Sequence, residues 1–434
     1  MTLIEVQVDR LVGPTHHFGG LGVGNLASQQ HAGQISNPQA AALQGLDKMK
    51  RVAQLGVPQV ILAPQPRPDF EFFKRVGFDG TETERLRQAI QSDFRVLSAS
   101  LSSSAMWVAN AATVSAAVDN RYGVTSLTVA NLVASLHRSI EPDVTYADLR
   151  QSMPPGVKVM PHLFGGAEMR DEGAANHMRL GSSQNIAGIH VFVYGDGSPA
   201  PQQRWPRQTR AACQAIARQH GLHPADTFYL KQHPDAIDAG AFHNDVVAAS
   251  HHDLMLYHER AFHNADATLA AIDQRYQQRF GRPLRREVVT SEQLSLDDSV
   301  SAYLFNSQIV SPGDTSRAPV LVGPAQVRRH DQANRIVTDW CDRQLFSAAI
   351  FVDLDQSMAG GGGPACLRLR VPMTPVEMSQ IPESVRWSES LDQRLRQIIQ
   401  ETYPTEFAPA HLIDASTLSK VIKAQSALRD ALSG

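Results

Sequence analysis

Hydrophobic positions along the chain come in short clusters, some alternating with polar residues and some at helical spacing, and the two kinds take turns. Residues 6–12 alternate near the N-terminal end and predict a strand, and Val60, Ile61 and Leu62 predict a short buried one. Between them Leu43, Leu46, Met49, Val52 and Leu55 form one stripe of a helix, with Asn37 placed to cap it, Pro38 in its first turn and Gly56 at its end. Further helices are expected over 69–76 and 82–92, and a strand over 125–132. The pattern continues with strands over 189–194, 227–232, 246–249, 253–257, 302–305, 320–322 and 348–354. Helices are expected over 207–220, 265–280, 325–343, 389–403 and 416–431. One or two short strands and then a helix, repeated along the chain, is an α/β pattern.

No low-complexity linker or shift of composition divides the chain. Four segments echo one another, each with small or apolar residues before an asparagine: Met106-Trp107-Val108-Ala109-Asn110, Gly173-Ala174-Ala175-Asn176, Gly240-Ala241-Phe242-His243-Asn244 and Tyr303-Leu304-Phe305-Asn306. The echo predicts a repeated ββα-type unit and one closed repeat architecture rather than separate domains.

The stretch from Gly360 to Val371 carries the most chemistry. Four glycines free the backbone to approach a ligand, and Pro364 stiffens the exit. Alternation from Cys366 onward predicts a strand with Leu367, Leu369 and Val371 on one face and Cys366, Arg368 and Arg370 on the other. A thiol at a loop-to-strand junction beside cations that favour its thiolate is one way to present a nucleophile; a small residue opening a core strand is the other reading. Five glycines between Gly13 and Asn25 mark an ordered loop able to wrap a small ligand, and Gly19 to Asn25 is the candidate for a mobile cover. That loop lacks the G-x-G-x-x-G spacing of a dinucleotide site. His16 and His17, adjacent, read as polar loop residues rather than metal ligands.

Asp171 and Glu172 suit a planar cation, because two carboxylate oxygens match two parallel N–H donors, or else they cap a helix. Asn110 is an amide in a crowded segment or a turn former. His243 and Asp245 are expected on one face of a strand, roughly 7 Å apart, either as an acid/base beside an anchor for a cationic substrate or as a surface strand end. Arg207 is expected to open a helix, where a cation makes sense if it holds an anion, and His137-Arg138 is a second possible anion contact.

Among 434 residues the hydrophobic fraction is 42% and the charged fraction 19%, as in an ordinary globular protein, and a net charge of −3 argues against a nucleic-acid binder. Three cysteines, Cys213, Cys341 and Cys366, make no disulfide framework, so a reducing cytosol is expected. No signal-like segment opens the chain and no run approaches the ~20 apolar residues of a membrane span. The expectation is a soluble intracellular protein.

Read together, the segments 11–17, 106–113, 171–177, 242–246, 303–308 and 361–370 resemble the N-succinylarginine dihydrolase family of the guanidino-group-modifying (pentein) superfamily. The resemblance implies a single domain over 1–434, built as a five-bladed α/β propeller of ββαβ modules with the site in its central channel. It further implies a cytoplasmic homodimer, with neither metal nor organic cofactor. It assigns Cys366 as nucleophile, His243 as general acid/base, Glu172 as the third catalytic residue and Asp245 as the guanidinium grip. Substrate contacts carry over to Gly19, Gly20, Leu21, Gly22, Val23, Gly24, Asn25, Leu26, Ala27 and Ser28, and to Asn110, His137, Arg138 and Arg207. The implied reaction converts N2-succinyl-L-arginine into N2-succinyl-L-ornithine, two ammonia and CO2. Gly360 departs from the family, which commonly has asparagine there. The alternatives are a deiminase or amidinotransferase acting on another guanidine, and a catalytically silent binding protein of the same fold.

Overall fold

The computed structural model describes residues 2–22, 24–312 and 318–433. Among the described residues fifteen strands form five sheets of three. The strands are β1 (Ile4–Arg10), β2 (Gln59–Leu62), β3 (Ala112–Ser115), β4 (Ser126–Val129), β5 (Lys158–Met160), β6 (His177–Leu180), β7 (Ile189–Tyr194) and β8 (Thr227–Lys231). They continue with β9 (Ala248–His251), β10 (Leu254–His258), β11 (Arg285–Val289), β12 (Gln308–Val310), β13 (Val320–Pro324), β14 (Ala348–Val352) and β15 (Leu369–Met373).

Every sheet has the same plan. An antiparallel pair shares its middle strand with a parallel third, and a helical crossover joins the parallel two, as parallel pairing requires. In four sheets the strands are consecutive, whereas in the fifth β15 pairs with β1, Leu369 opposite Val8 and Met373 opposite Ile4, so the end of the chain completes the module begun at its start. Middle strands are buried on both faces, as Val6 and Gln7 of β1 and Val191 and Phe192 of β7 illustrate.

The helices follow from local signals. Asn37 Oδ1 accepts from Ala40 N at 2.8 Å and starts Pro38–Gln54. Its Leu46, Met49 and Val52 pack with Leu11 and Ile61 beneath it. Thr81 and Glu84 form a reciprocal capping box for Glu82–Ser92.

Where the structure departs from the pattern, a local bond explains it. The expected helix over 325–343 is two, Ala325–Arg329 and Asp331–Asp342, because the His330 ring accepts from Ala333 N and restarts the helix. Residues 302–305 are not a strand: the helix Leu296–Ala302 ends on Tyr303, φ +56°, and β12 begins only at Gln308. The helix expected from Arg207 starts at Arg210, capped by Thr209. Asn244–Val246 is a 3₁₀ turn ahead of β9, so His243 and Asp245 share no strand face. Likewise Cys366 lies in a turn before β15, and the period-two expectation holds only from Leu369.

The asparagine echo has a clear structural counterpart. Asn110, Asn176, Asn244 and Asn306 each lie just before the first strand of a sheet, and Cys366 holds that place before β15. These five turns are hydrogen-bonded in a closed circuit. Asn110 Nδ2 donates to Glu172 O at 2.7 Å, Asn244 N to Asn176 Oδ1 at 2.9 Å, and Asn306 Nδ2 to Asp245 O at 3.3 Å. Ala365 N donates to Asn306 O at 3.2 Å and Ala109 N to Cys366 O at 3.0 Å, which closes the ring.

Candidate active site

On one side of the ring lies a cavity of about 50 Å³. Cys366 reaches it from a turn fixed at both ends, its N–H on Gly363 O at 3.1 Å and its C=O on Ala109 N. The glycines before it are sterically required. A Cβ at Gly361, φ +109°, would overlap the Asn25 amide, and one at Gly362 would overlap the Trp107 indole. At Gly360, where the resemblance led to an expectation of asparagine, the nearest atom to an added Cβ is Trp107 Cζ2 at 3.0 Å.

His243 also lines the cavity, and its Nε2 donates to Glu172 Oε2 at 2.8 Å. Both residues are at most 1% exposed. An ionised carboxylate only accepts, so this bond fixes the tautomer and leaves Nδ1 as the basic atom, without a partner among the described residues. Arg138 Nη1 donates to the same Oε2. The Glu172 backbone is held on both sides, its N–H on Gln208 Oε1 at 2.7 Å and its C=O on Asn110 Nδ2. Arg207 stacks over Phe242 at 5.0 Å, and Phe242 lies edge-on to His243.

The electrostatics define a resting state. Burial alone would raise Glu172, but Arg138 and the His243 hydrogen bond outweigh it and bring the carboxyl to about 2. Burial pushes His243 down to about 4 despite Glu172, so the imidazole is neutral near pH 7. Burial and then the Asp245 carboxylate push the Cys366 thiol well above its usual range. Its Sγ donates to Asp245 Oδ2 at 3.4 Å and accepts from Asn306 Nδ2 at 3.2 Å. The expectation that Arg368 and Arg370 would favour the thiolate fails, because both line a different cavity across the ring. Ionisation of this thiol therefore calls for another cation, and a guanidinium ligand would bring one.

Of the expected contacts, Gly19, Leu21, Gly22, Asn25, Ser28, Asn110, His137, Arg138 and Arg207 line the cavity with His243 and Cys366. Glu172 acts on it from behind His243 and Arg138. Gly20, Gly24, Leu26 and Ala27 do not line it; Leu26 and Ala27 face a neighbouring groove. Asp245 lies behind Cys366 and lines the opposite cavity, and Val23 falls outside the described residues. Sequence reading passed over Ser102, Ser103, Ser104 and Phe242 as lining residues, and took His16 and His17 for ordinary loop residues. It also missed Asn306 as a partner of the sulfur, for which the asparagine echo was the available signal.

The described residues contain no group of three or more His, Cys, Asp and Glu placed to hold a metal, and no helix long and apolar enough to cross a membrane.

Comparison with known proteins agrees with this geometry. In solved structures, the N-terminal domain of ArgZ bound to product, an arginine dihydrolase from the ornithine–ammonia cycle in cyanobacteria, superposes with a TM-score of 0.53 at 14% identity, covering 85% of this chain and 97% of that one. A variant of the same domain covalently bound to a reaction intermediate gives 0.52 at 14% identity, with coverage of 84% and 97%. The fold is shared with these arginine dihydrolases. Sequence narrows the class. A family model described as succinylarginine dihydrolase matches residues 2–433. The N-succinylarginine dihydrolase of Chromohalobacter salexigens is 42% identical over 418 residues, 94% of this chain and 92% of the relative. That of Idiomarina loihiensis is 40% identical over 431 residues, with coverage of 97% and 95%. The chain belongs to the succinylarginine dihydrolase family.

Proposed function

We propose that this protein hydrolyses N2-succinyl-L-arginine to N2-succinyl-L-ornithine, two ammonia and CO2, through a covalent intermediate on Cys366. The observation that carries the reading is the meeting of Cys366, the His243–Glu172 pair and the cations Arg138 and Arg207 at one cavity. The substrate guanidinium supplies the positive charge that the buried thiol lacks. The thiol proton passes to His243 Nδ1 as the sulfur adds to the planar carbon; the imidazolium gives that proton to the departing ammonia, and water activated by the imidazole, neutral again, releases the sulfur. That round consumes one water and yields the ureido compound. A second round consumes another water, expels the second ammonia and leaves a carbamate that loses CO2. Arg138 and Arg207 suit the carboxylates of a succinylated substrate.

Asp245 is assigned the guanidinium contact, made once Cys366 has yielded its proton and turned toward substrate. The loop from Gly19 to Ser28 is assigned the remainder of the molecule and must move to admit it, since a ligand of this size takes a cleft of roughly 300 Å³ or more. The five like sheets and their closed hydrogen-bond circuit support a five-bladed propeller, built as one domain over 1–434. The family suggests a homodimer working in the cytoplasm.

The test is to supply succinylarginine and count ammonia per substrate consumed. Two supports the dihydrolase; one indicates a deiminase; none, with other guanidines also inert, removes the enzyme reading. Cys366→Ser is expected to show no turnover with its fold intact.

A further inference from the structure

Across the ring from Cys366 is a second cavity, of about 130 Å³, larger than the one holding the sulfur. Arg179, Arg368, Arg370, His177, His252 and Asp245 line it. Two of its arginines are already neutralised, Arg179 by Asp119 at 2.7 Å and Arg370 by Glu5 at 3.3 Å. Arg368 makes no ion pair among the described residues, and its Nε is closed off from solvent without a hydrogen-bond partner. A guanidinium keeps its charge, and a buried charge needs a counter-charge and acceptors. Burial and then Arg370 press Arg368 down to about 9, and the nearby carboxylates of Glu5, Asp245 and Asp9 offset them only in part.

The opposite requirement comes from His177. His190 Nε2 lies 3.3 Å from Asp119 Oδ2, and a proton on that nitrogen faces the carboxylate; the other ring nitrogen, Nδ1, is then the acceptor for His177 Nε2 at 2.9 Å. This relay leaves His177 with a lone pair at Nδ1. Burial and the neighbouring His190 hold His177 well below its usual range, so it is neutral near pH 7 and can accept from a donor. One cavity thus presents a donor fork at Arg368 and an acceptor at His177.

We propose that this cavity binds a small oxyanion carrying one O–H, of the bicarbonate class, its oxygens on Arg368 and its proton toward His177. A hydrogen phosphate has the same chemistry. Nitrate matches bicarbonate in shape and charge but has no proton to give. Asp245 forms the wall between this site and Cys366, so a bound anion lies directly behind the sulfur's partner.

The test is calorimetric titration of the full chain with sodium bicarbonate, phosphate or nitrate at fixed ionic strength and pH 7.5, without substrate, so that the result is independent of the catalytic proposal. Saturable binding of bicarbonate or phosphate is expected, the tighter of the two identifying the ligand, with nitrate weaker by about tenfold. Arg368→Gln is expected to weaken binding about tenfold or more, with Arg368→Lys intermediate. Arg207→Gln, on the catalytic side, is expected to leave the isotherm unchanged. Nitrate binding as tightly as bicarbonate and phosphate, an unchanged isotherm in Arg368→Gln, or a loss caused by Arg207→Gln overturns the proposal. So does the absence of saturation by all three anions below about 50 mM. If Arg368→Gln fails to fold, the ranking against nitrate and the Arg207→Gln control decide alone.

Discussion

Two buried carboxylates of this molecule are each paired with a cation, yet their partners face different surroundings. Asp9 holds Lys48, and the Lys48 ammonium also donates to Leu367 O at 3.0 Å, which ties the helix Pro38–Gln54 to β1 and to the turn beside Cys366. Glu172 holds Arg138 and His243. All five side chains are almost wholly out of solvent. The difference lies in what the partners face. Lys48 is enclosed by protein, whereas Arg138 and His243 line a cavity and each keeps a nitrogen without a partner there. A buried ion pair is therefore no sign of an active site by itself; one whose members keep idle donors and acceptors against a cavity is.

The strongest challenge to that contrast is Glu172→Gln. The amide preserves shape and a hydrogen-bond partner but removes the charge that orients His243 and steadies it when protonated. Turnover of succinylarginine is expected to fall by about 10²–10⁴-fold with the circular dichroism spectrum unchanged. Activity within a few-fold of wild type would place Glu172 with Asp9 as a structural group.

The matching change on the structural side is Lys48→Met, which leaves Asp9 buried alone. A loss of about 3–5 kcal/mol in chemical denaturation is expected, with much of it recovered in Asp9→Leu/Lys48→Met, because an apolar pair of similar volume often replaces a buried ion pair without cost. No recovery in the double variant would mean that the pair, not merely its completeness, stabilises the fold.

How far each region was legible in the sequence follows the same divide. The helix Pro38–Gln54 was readable because its cap, its proline and its apolar stripe all lie within one segment. The repeat was readable because like turns recur before like strands. Cys366, His243 and Glu172 received their roles through resemblance: the spacing around Cys366 and His243 suggested strands that do not exist there, and Glu172 read equally well as a helix cap. The partners were hidden: Lys48 lies off the apolar stripe that periodicity draws on its helix, and Asn306 belonged to the echo with no sign that it would meet the sulfur. Both are defined by residues far along the chain, and local periodicity carries no record of such contacts. Asp245 shows the limit most clearly, because its side of the ring depends on a turn that alternation could not foresee.

A smaller effect separates the regions by pH. His243 sits at about 4 when folded, against 6.5 for the free side chain. Above pH 6.5 it is neutral in both states and contributes nothing; as pH falls below 6.5 the unfolded chain gains a proton that the folded one refuses, and stability is lost until pH passes 4. Between pH 7 and pH 5 the wild type is expected to lose about 2 kcal/mol more than His243→Gln does in denaturant titration. Equal slopes would show that His243 titrates as if exposed.

The smallest expected effect concerns the sulfur itself. In the resting protein Cys366 donates to Asp245, and a carboxylate beside a thiol disfavours the thiolate twice, by accepting the S–H and by repelling the negative sulfur. Asp245→Asn removes the repulsion and replaces an acceptor with an amide able to donate. Alkylation of Cys366 by iodoacetamide at pH 8, followed by peptide mass spectrometry to separate it from the partly exposed Cys341, is then expected to speed up by about tenfold, even though turnover falls. A guanidinium ligand should accelerate the wild-type thiol in the same way and leave the variant little changed, since it acts by countering the same carboxylate. If Asp245→Asn instead reacts at the wild-type rate, burial alone keeps the thiol protonated. Substrate would then have to activate it by repositioning the sulfur rather than by countering a neighbouring charge.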